Sequence, residues 1–390
     1  MKRLCLFVLL LMGMLPLCIY GQQPNDPQWY VALDSIEARG AWGLTTGKPS
    51  ISVAVVDRHF YLGHEDLVNK IDTIWGISGT NTYHGAMVSG LIAAETNNGK
   101  GISSIGYNTH LGLYKLNLSE FGTDSTVVHD AVYAAASGNH RVICVCMGKI
   151  CLSREEVKYF TDQGRIFVLS AGNTPQANSH IYIGNIPGVI IVTALDSTGL
   201  VASGCARNQY VDVCAPGNGI VSTYDEYCPY YPYWGMPVTS YATPLVAGTV
   251  ALMLSVNPDL TSGEIDEILK SSAKDLLLDD PYYVWIEKRG GRLNEQGAGR
   301  LNAQAAVQAA IEKGVLKEEG CTWLLPYQEV CASSVLRLGN YADDEFYWED
   351  NGDGVMALRG HTVLKANYAV ELYEGFSVQE DAELDIVILE

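Results

Sequence analysis

Short apolar runs and helix-spaced stretches alternate along most of this chain. The runs at 51–57 (ISVAVVD), 110–116 (HLGLYKL), 141–147 (RVICVCM), 165–172 (RIFVLSAG) and 189–195 (VIIVTAL) are rich in β-branched residues and show no polar face. They predict strands buried on both sides. Between them, 84–95, 124–137 and 154–164 space their apolar residues by three and four, as does the stretch after Ser240. These predict helices. Strand and helix in alternation predict an α/β fold, a doubly wound and mostly parallel sheet with helices on both faces. Two further helices, near 262–273 and 298–313, complete it. After Lys313 the pattern changes to period-two runs, such as 368–388, between acidic turns. That predicts a small all-β C-terminal domain over 316–390, antiparallel, packing with a first domain over 22–315.

The first residues follow another pattern. Lys2 and Arg3 precede an apolar run that Gly13 and Pro16 interrupt, with Gly21 at its end. The run is shorter than a usual membrane span, so residues 1–21 read as a signal peptide cleaved after Gly21 rather than an anchor. Lipoprotein processing at Cys18 is disfavoured by the bulky Leu17 before it. The expected location is secreted, periplasmic or cell-surface, with no membrane span left after signal removal. A formal charge of −19 without a basic stripe argues against nucleic acid as a partner. Cys5 and Cys18 leave with the signal, so eight of the ten cysteines remain. Export permits them to pair, but sequence does not give the pairing. Cys144, Cys146 and Cys151 read either as a metal cluster or, for the first two, as small apolar residues on one strand face.

The candidate chemistry centres on Ser240, in PVTSYATPLVAG. A serine at a helix start is either an N-cap or a nucleophile, and Pro244 is tolerable there as part of the first turn. A nucleophile needs a base, a carboxylate to orient that base, and donors for an oxyanion. Asp57 ends a buried strand, where a charge has no packing reason to be. His84 opens a helix beside Gly85, which allows close backbone approach. Asn173, in LSAGN at another strand end, has an amide to donate. The chain order Asp57, His84, Ser240 differs from that of hydrolases built on G-x-S-x-G.

Together VAVVD, HGAMVSG, LSAGN and TSYATPLVAG resemble the motifs of the subtilisin-like serine proteases. The likeness covers about residues 24–312, including NDPQWYVALDSIEARGAW and CAPG. It implies Ser240 as nucleophile, His84 as general base, Asp57 as orienting carboxylate, and an oxyanion hole of the Asn173 side chain and the Ser240 backbone N–H. Polypeptide substrates and no catalytic cofactor follow from it. The resemblance further implies that Cys144, Val145, Cys146, Met147 and Gly148 form the edge that pairs with extended substrate. It also implies a structural calcium ion at Asp26, Asp66 and Asn98 around TNNGKG, where the residues alone read as a polar turn. The tyrosines of 224–233, with Trp234, read as surface packing or as an aromatic wall on the leaving-group side.

Several positions depart from the family pattern. Arg58 and His59 follow Asp57, Ala86 follows His84-Gly85, and Val238 stands where glycine is usual. If that turn needs a positive φ, the β-branched Val238 displaces Ser240. Arg58 reads as a solvated side chain. Little sequence lies between the signal and NDPQW for the propeptide that secreted members carry. The expectation is a secreted serine endopeptidase working through an acyl-enzyme. The alternative is a weak or inactive scaffold that binds extended peptides in the same groove. The C-terminal run resembles short β repeats that end secreted bacterial proteins, which adds an adhesion or assembly role.

Overall fold

The computed structural model describes residues 24–319 apart from 28–30, 77–83, 117–123, 176, 178, 179, 181, 234, 275 and 277–296, together with seven strands between 327 and 388. The proposed signal segment therefore lies outside the described residues. The chain divides into two compact units, residues 1–256 with 261–308, and residues 309–390 with 257–260.

In the first unit, α1 (Val31–Ser35) and α2 (Ala38–Leu44) lead into β1 (Ser52–Asp57). Then follow β2 (Ile71–Trp75), α3 (His84–Ala93), β3 (His110–Lys115), α4 (Ser125–Ser137), β4 (Val142–Val145), α5 (Arg154–Asp162), β5 (Ile166–Ser170) and β6 (Val189–Leu195). After β7 (Val213–Pro216) come the hairpin strands β8 (Ile220–Thr223) and β9 (Tyr230–Tyr233), then α6 (Thr239–Val256), α7 (Ser262–Ser272) and α8 (Ala303–Glu319), whose residues from 309 on belong to the second unit. Local chemistry sets several helix starts. Asp124 caps α4, and Ser153 with Glu156 and Thr261 with Glu264 form capping boxes on α5 and α7.

Seven strands pair in parallel in the order β2-β3-β1-β4-β5-β6-β7. Side chains alternate between faces along each strand. Val56, Ile143, Val145, Phe167 and Leu169 join Val128, Val132 and Phe160 of α4 and α5 in one core cluster. The alternate residues, Val55, Cys144 and Val168 among them, face α3 and α6. Helix α6 is buried along Thr239–Ser255. Among the described residues it is the one helix long and apolar enough to cross a membrane, yet 94% of that stretch is buried inside the protein. Its apolarity reflects a central place in the core.

The order places β3 and β2 on one side of β1 and β4 to β7 on the other, so the winding reverses between β1 and β4. In open parallel sheets that reversal opens a crevice at the C-terminal strand ends, where ligands bind. Asp57 ends β1, Cys146 follows β4, and Asn173 lies three residues past β5. All sit at that edge.

The second unit departs from expectation. Its strands are β10 (Tyr327–Ala332), β11 (Val335–Leu338), β12 (Met356–Leu358), β13 (His361–Ala366), β14 (Ala369–Leu372), β15 (Phe376–Val378) and β16 (Glu383–Ile388). They pair in parallel, not antiparallel, as β10-β13-β16, β11-β14 and β12-β15. Each strand meets the third one onward, so successive turns of the chain stack as a coil. Period-two alternation reports that one face is covered, and it reads the same for either pairing sense.

Candidate active site

Asp57 is fully buried as the last residue of β1. Its Oδ1 accepts the Arg58 backbone N–H at 2.7 Å, and its Oδ2 accepts His84 Nδ1–H at 2.8 Å. Both oxygens are satisfied, which lets a carboxylate stay buried. The second bond also sets the tautomer. With the proton on Nδ1, the Nε2 lone pair is the one able to take a proton.

His84 is the first residue of α3, its side chain 36% exposed. A Cβ on Gly85 would fall 2.3 Å from the His59 carbonyl oxygen, so only glycine lets the helix start this close to the exit of β1. Two residues that sequence reasoning missed hold this first turn. Ser222 and Thr223, at the end of β8, donate to the carbonyls of Met87 (2.6 Å) and Ala86 (2.7 Å). Local periodicity carries no sign of a clasp across such a sequence distance. Burial by itself lowers the His84 pKa, but the Asp57 charge and hydrogen bond outweigh it and leave it raised.

Ser240 is the second residue of α6 and is buried. The next residue, Tyr241, stacks its ring on that of His84 with centroids 6.3 Å apart, and its hydroxyl donates to Met87 Sδ at 3.1 Å. The first turns of α6 and α3 are thereby joined. On the other side, Thr239 donates its backbone N–H (2.8 Å) and its hydroxyl (3.0 Å) to Asn173 Oδ1. The amide's carbonyl end is engaged, which leaves Nδ2 as the end that can donate to an oxyanion. Thr239 Oγ1 also accepts the Gly172 N–H at 3.2 Å. Thr239 was not singled out from sequence; its only signal was its place beside Ser240.

Three expectations about the surroundings of Ser240 and His84 change. Val238 is not among the described non-glycine residues at positive φ, which are Glu37, Asn97, Tyr107, Cys151 and Asn185. Its N–H donates to the Gly217 carbonyl at 3.1 Å, and its own carbonyl accepts from Tyr241 at 3.2 Å. The turn thus needs no glycine, and the feared displacement of Ser240 has no backbone cause. Pro244 is the sixth residue of α6, one turn inside it, where it removes the N–H that the Ser240 carbonyl would otherwise accept. Arg58 is half-buried, with Nε buried and unpartnered, and its charge opposes protonation of His84. It is not the solvated side chain expected.

Two of the five residues expected to pair with substrate are not free to do so. Cys144 and Val145 pair with Val55 and Val56 of β1 on one side and with Val168 and Leu169 of β5 on the other. Both lie inside the sheet, so neither has a backbone edge to offer. Cys146, Met147 and Gly148 continue past the sheet and remain candidates. The aromatic wall also dissolves in part. Tyr224 and Tyr231 stack on each other at 4.9 Å, while Tyr230 packs edge-on to His64 and donates to Glu65 Oε1 at 3.0 Å. Trp234 lies outside the described residues.

The predicted calcium ligands lie together, but as acceptors already served. Asp26 accepts the backbone N–H groups of Asn97 (2.8 Å), Asn98 (3.0 Å) and Gly99 (3.3 Å) and the Ser103 hydroxyl (2.8 Å). Asp66 accepts Asn98 Nδ2 and the Ile102 N–H, each at 3.0 Å. Asn98 turns its amino group, not its carbonyl, toward Asp66; its Oδ1 accepts the Lys100 N–H at 2.8 Å. A Cβ on Gly101, at φ +47°, would fall 2.0 Å from Asp66 Oδ2 and 2.2 Å from the Tyr230 hydroxyl. That hydroxyl fills the space beside the carboxylate. Burial, the largest influence on Asp66, raises its pKa, which further disfavours an anionic cage. Among the described residues no three acids, histidines or cysteines converge as a metal group. A cation needs oxygen ligands facing inward, and here N–H and O–H donors face the carboxylates. These residues do not fit calcium. Chelator should accordingly leave the melting temperature unchanged, while Asp66→Ala should lower it by about 5 °C or more with or without chelator. A fall on chelation of wild type would show that a cation is held after all.

Residues 48–299 match the model of the subtilase family. The chain belongs to the subtilase family. This subtilase is 32% identical over 269 residues to a thermophilic serine proteinase of Bacillus sp. (strain AK1), covering 66% of its own chain and 64% of that relative. It is 29% identical over 300 residues to thermitase of Thermoactinomyces vulgaris, covering 73% of this chain and 99% of thermitase. The chain spans between about half and two thirds of the longer curated relatives it matches. Among solved structures, a protease from Pseudoalteromonas arctica PAMC 21717 is similar with a TM-score of 0.58 at 26% identity, over 74% of this chain and 100% of that one.

Proposed function

We propose that this subtilase is an exported serine endopeptidase that hydrolyses extended polypeptides through an acyl-enzyme. The observation that carries this reading is the 2.8 Å bond from His84 Nδ1 to a buried Asp57, in a helix whose first turn meets that of Ser240. Bound peptide runs along Cys146–Gly148, and its scissile carbonyl meets Ser240 Oγ. Nε2 of His84 takes the hydroxyl proton as the C–O bond forms, and Asp57 stabilises the resulting imidazolium. Asn173 Nδ2 and the Ser240 N–H receive the charge on the carbonyl oxygen. His84 then gives its proton to the leaving amine, and water releases the acyl group by the same steps in reverse. None of these steps asks for a cofactor. Export rests on the N-terminal pattern of Lys2, Arg3 and the apolar run after them.

The test is a fluorophosphonate probe applied to the folded protein. A covalent adduct mapped to Ser240, together with cleavage of an unfolded protein substrate, is the expected result. No adduct at any pH from about 6 to 9, with extended peptides still bound, favours the inactive scaffold instead.

The same geometry sets the pH profile. The base works only when neutral, and Asp57 holds the His84 pKa above its ordinary 6.5. Activity should therefore be lost as pH falls through a midpoint higher than 6.5 in kcat/KM. Arg58→Gln removes a charge that opposes protonation, so its midpoint should move further up. A midpoint below 6.5, or a downward shift in Arg58→Gln, would contradict this account of His84.

A further inference from the structure

The described cysteines are free thiols, and two of them meet. Cys144, on the face of β4 that looks toward α6, and Cys146, just past the end of that strand, have Sγ atoms 3.7 Å apart. Cys144 is fully buried, and Cys146 is 7% exposed. Cys205 and Cys228, by contrast, direct their thiols at the carbonyls of Pro237 and Tyr230. The Cys146 thiol lies close enough to Thr243, one turn past Ser240, and to Asp57 to feel both electrostatically. The pair thus lies between the end of β1 and the serine helix, directly before Met147 and Gly148. The peptidase mechanism uses neither sulfur.

We propose that Cys144 and Cys146 form an oxidisable dithiol site, which small-molecule disulfides close into an internal disulfide that switches the peptidase off. The loss of activity rests on the endopeptidase reading above, whereas closure of the site does not. Chemically, the Cys146 thiol gives up its proton and attacks one sulfur of a disulfide R–S–S–R, breaking that bond and releasing R–SH. Cys144 then attacks Cys146 Sγ in the mixed disulfide, gives up its own proton, and releases the second R–SH. The protein loses two electrons and two protons, and the reagent gains both. Cys146 is the first target because it is the one with exposed surface, and Cys144 already stands beside it to resolve the adduct.

The sheet decides where the strain goes. A disulfide needs its sulfurs about 2.05 Å apart, so the pair must close from 3.7 Å. Cys144 cannot give way easily, because its backbone is laddered to β1 and β5 on both sides. Pairing ends at Val145, which leaves Cys146 outside the ladder. The movement falls on Cys146, Met147 and Gly148, the segment assigned to substrate. A shift of about 1 Å in a positioning element is enough to cost on the order of 10²-fold in rate. Burial pushes the Cys146 thiol well up, so closure is slow near neutral pH and faster in alkali. That slowness protects the working enzyme from brief exposure to oxidant.

The experiment incubates the full chain, natively folded, in a series of reduced-to-oxidised glutathione ratios. Peptide hydrolysis is measured beside mass mapping of the peptide that contains both residues. Expected is loss of two hydrogens from that peptide, in step with a fall in activity of at least about tenfold, and recovery of both with dithiothreitol. Cys144→Ser should stop at a glutathione adduct on Cys146, and Cys146→Ser should keep its own reduced-state activity throughout the series. The proposal is overturned if the pair stays reduced where the exposed Cys228 is fully oxidised, or if the disulfide closes without loss of activity. A disulfide that closes in a protein without hydrolysis in either state overturns the peptidase reading, and the switch with it.

Discussion

Alanine at Ser240 should lower kcat for peptide hydrolysis on the order of 10⁶-fold, the size of the loss seen when the nucleophile of the related subtilisin is removed. The protein should still fold, because among the described residues the contacts that join α6 to α3 and Asn173 belong to Tyr241 and Thr239. Fluorophosphonate labelling should vanish with activity, while KM for an extended peptide changes little. Residual hydrolysis within about tenfold of wild type would show that another group carries the reaction. A melting temperature close to that of wild type separates loss of chemistry from loss of fold.

Asparagine at Asp57 should cost about 10⁴-fold in kcat/KM. The site is fully buried, and the isosteric amide keeps its volume. The damage is electronic. If Nδ2 of the new amide faced His84, it would donate to Nδ1 and drive the imidazole proton onto Nε2, the nitrogen that must accept. The negative charge that stabilises the imidazolium would also be gone. The same substitution should drop the acid limb of the pH profile below that of wild type, because the influences that raise the His84 pKa both come from Asp57. A variant with full activity and an unmoved limb would remove Asp57 from the mechanism.

Most of the α/β architecture was legible because parallel strands buried on both faces leave an unmistakable trace. The run VIIVTAL coincides with β6 to the residue, and ISVAVVD lies within one residue of β1. Strand β2 escaped because it lies at the sheet edge, where Ile74 is 52% exposed and its pattern mixes apolar with polar. The β8–β9 hairpin escaped too, since its tyrosines read as decoration on a loop. Yet that hairpin supplies Ser222 and Thr223 to the first turn of α3 and Tyr230 to the acidic loop.

The candidate groups Asp57, His84, Asn173 and Ser240 were legible for a related reason. A charged or polar residue at the end of a buried strand, or at the mouth of a buried helix, has no packing role, so its presence points to chemistry. What sequence could not supply was the direction in which donors and acceptors face. Asp26, Asp66 and Asn98 have the composition of a cation site, but whether a carboxylate meets an ion or a backbone N–H depends on the path of the loop. In this fold the loop turns its N–H groups inward, and Tyr230 arrives from the hairpin to complete the set. Whether Val238 strains the serine turn likewise depends on φ, which residue type limits but does not choose.

By itself, then, the sequence determined the alternation of elements and the faces they bury, and it singled out Asp57, His84, Asn173 and Ser240 as candidates for chemistry. Those properties are local, because hydrophobic periodicity and side-chain chemistry are written residue by residue. Tertiary structure alone decided three others. It made the C-terminal strands parallel, it enclosed Cys144 and Val145 between β1 and β5, and it brought the β8–β9 hairpin onto the first turn of α3. Each depends on which strand lies beside which, and strand order is set by how the whole chain packs. No periodicity within one strand encodes its neighbour.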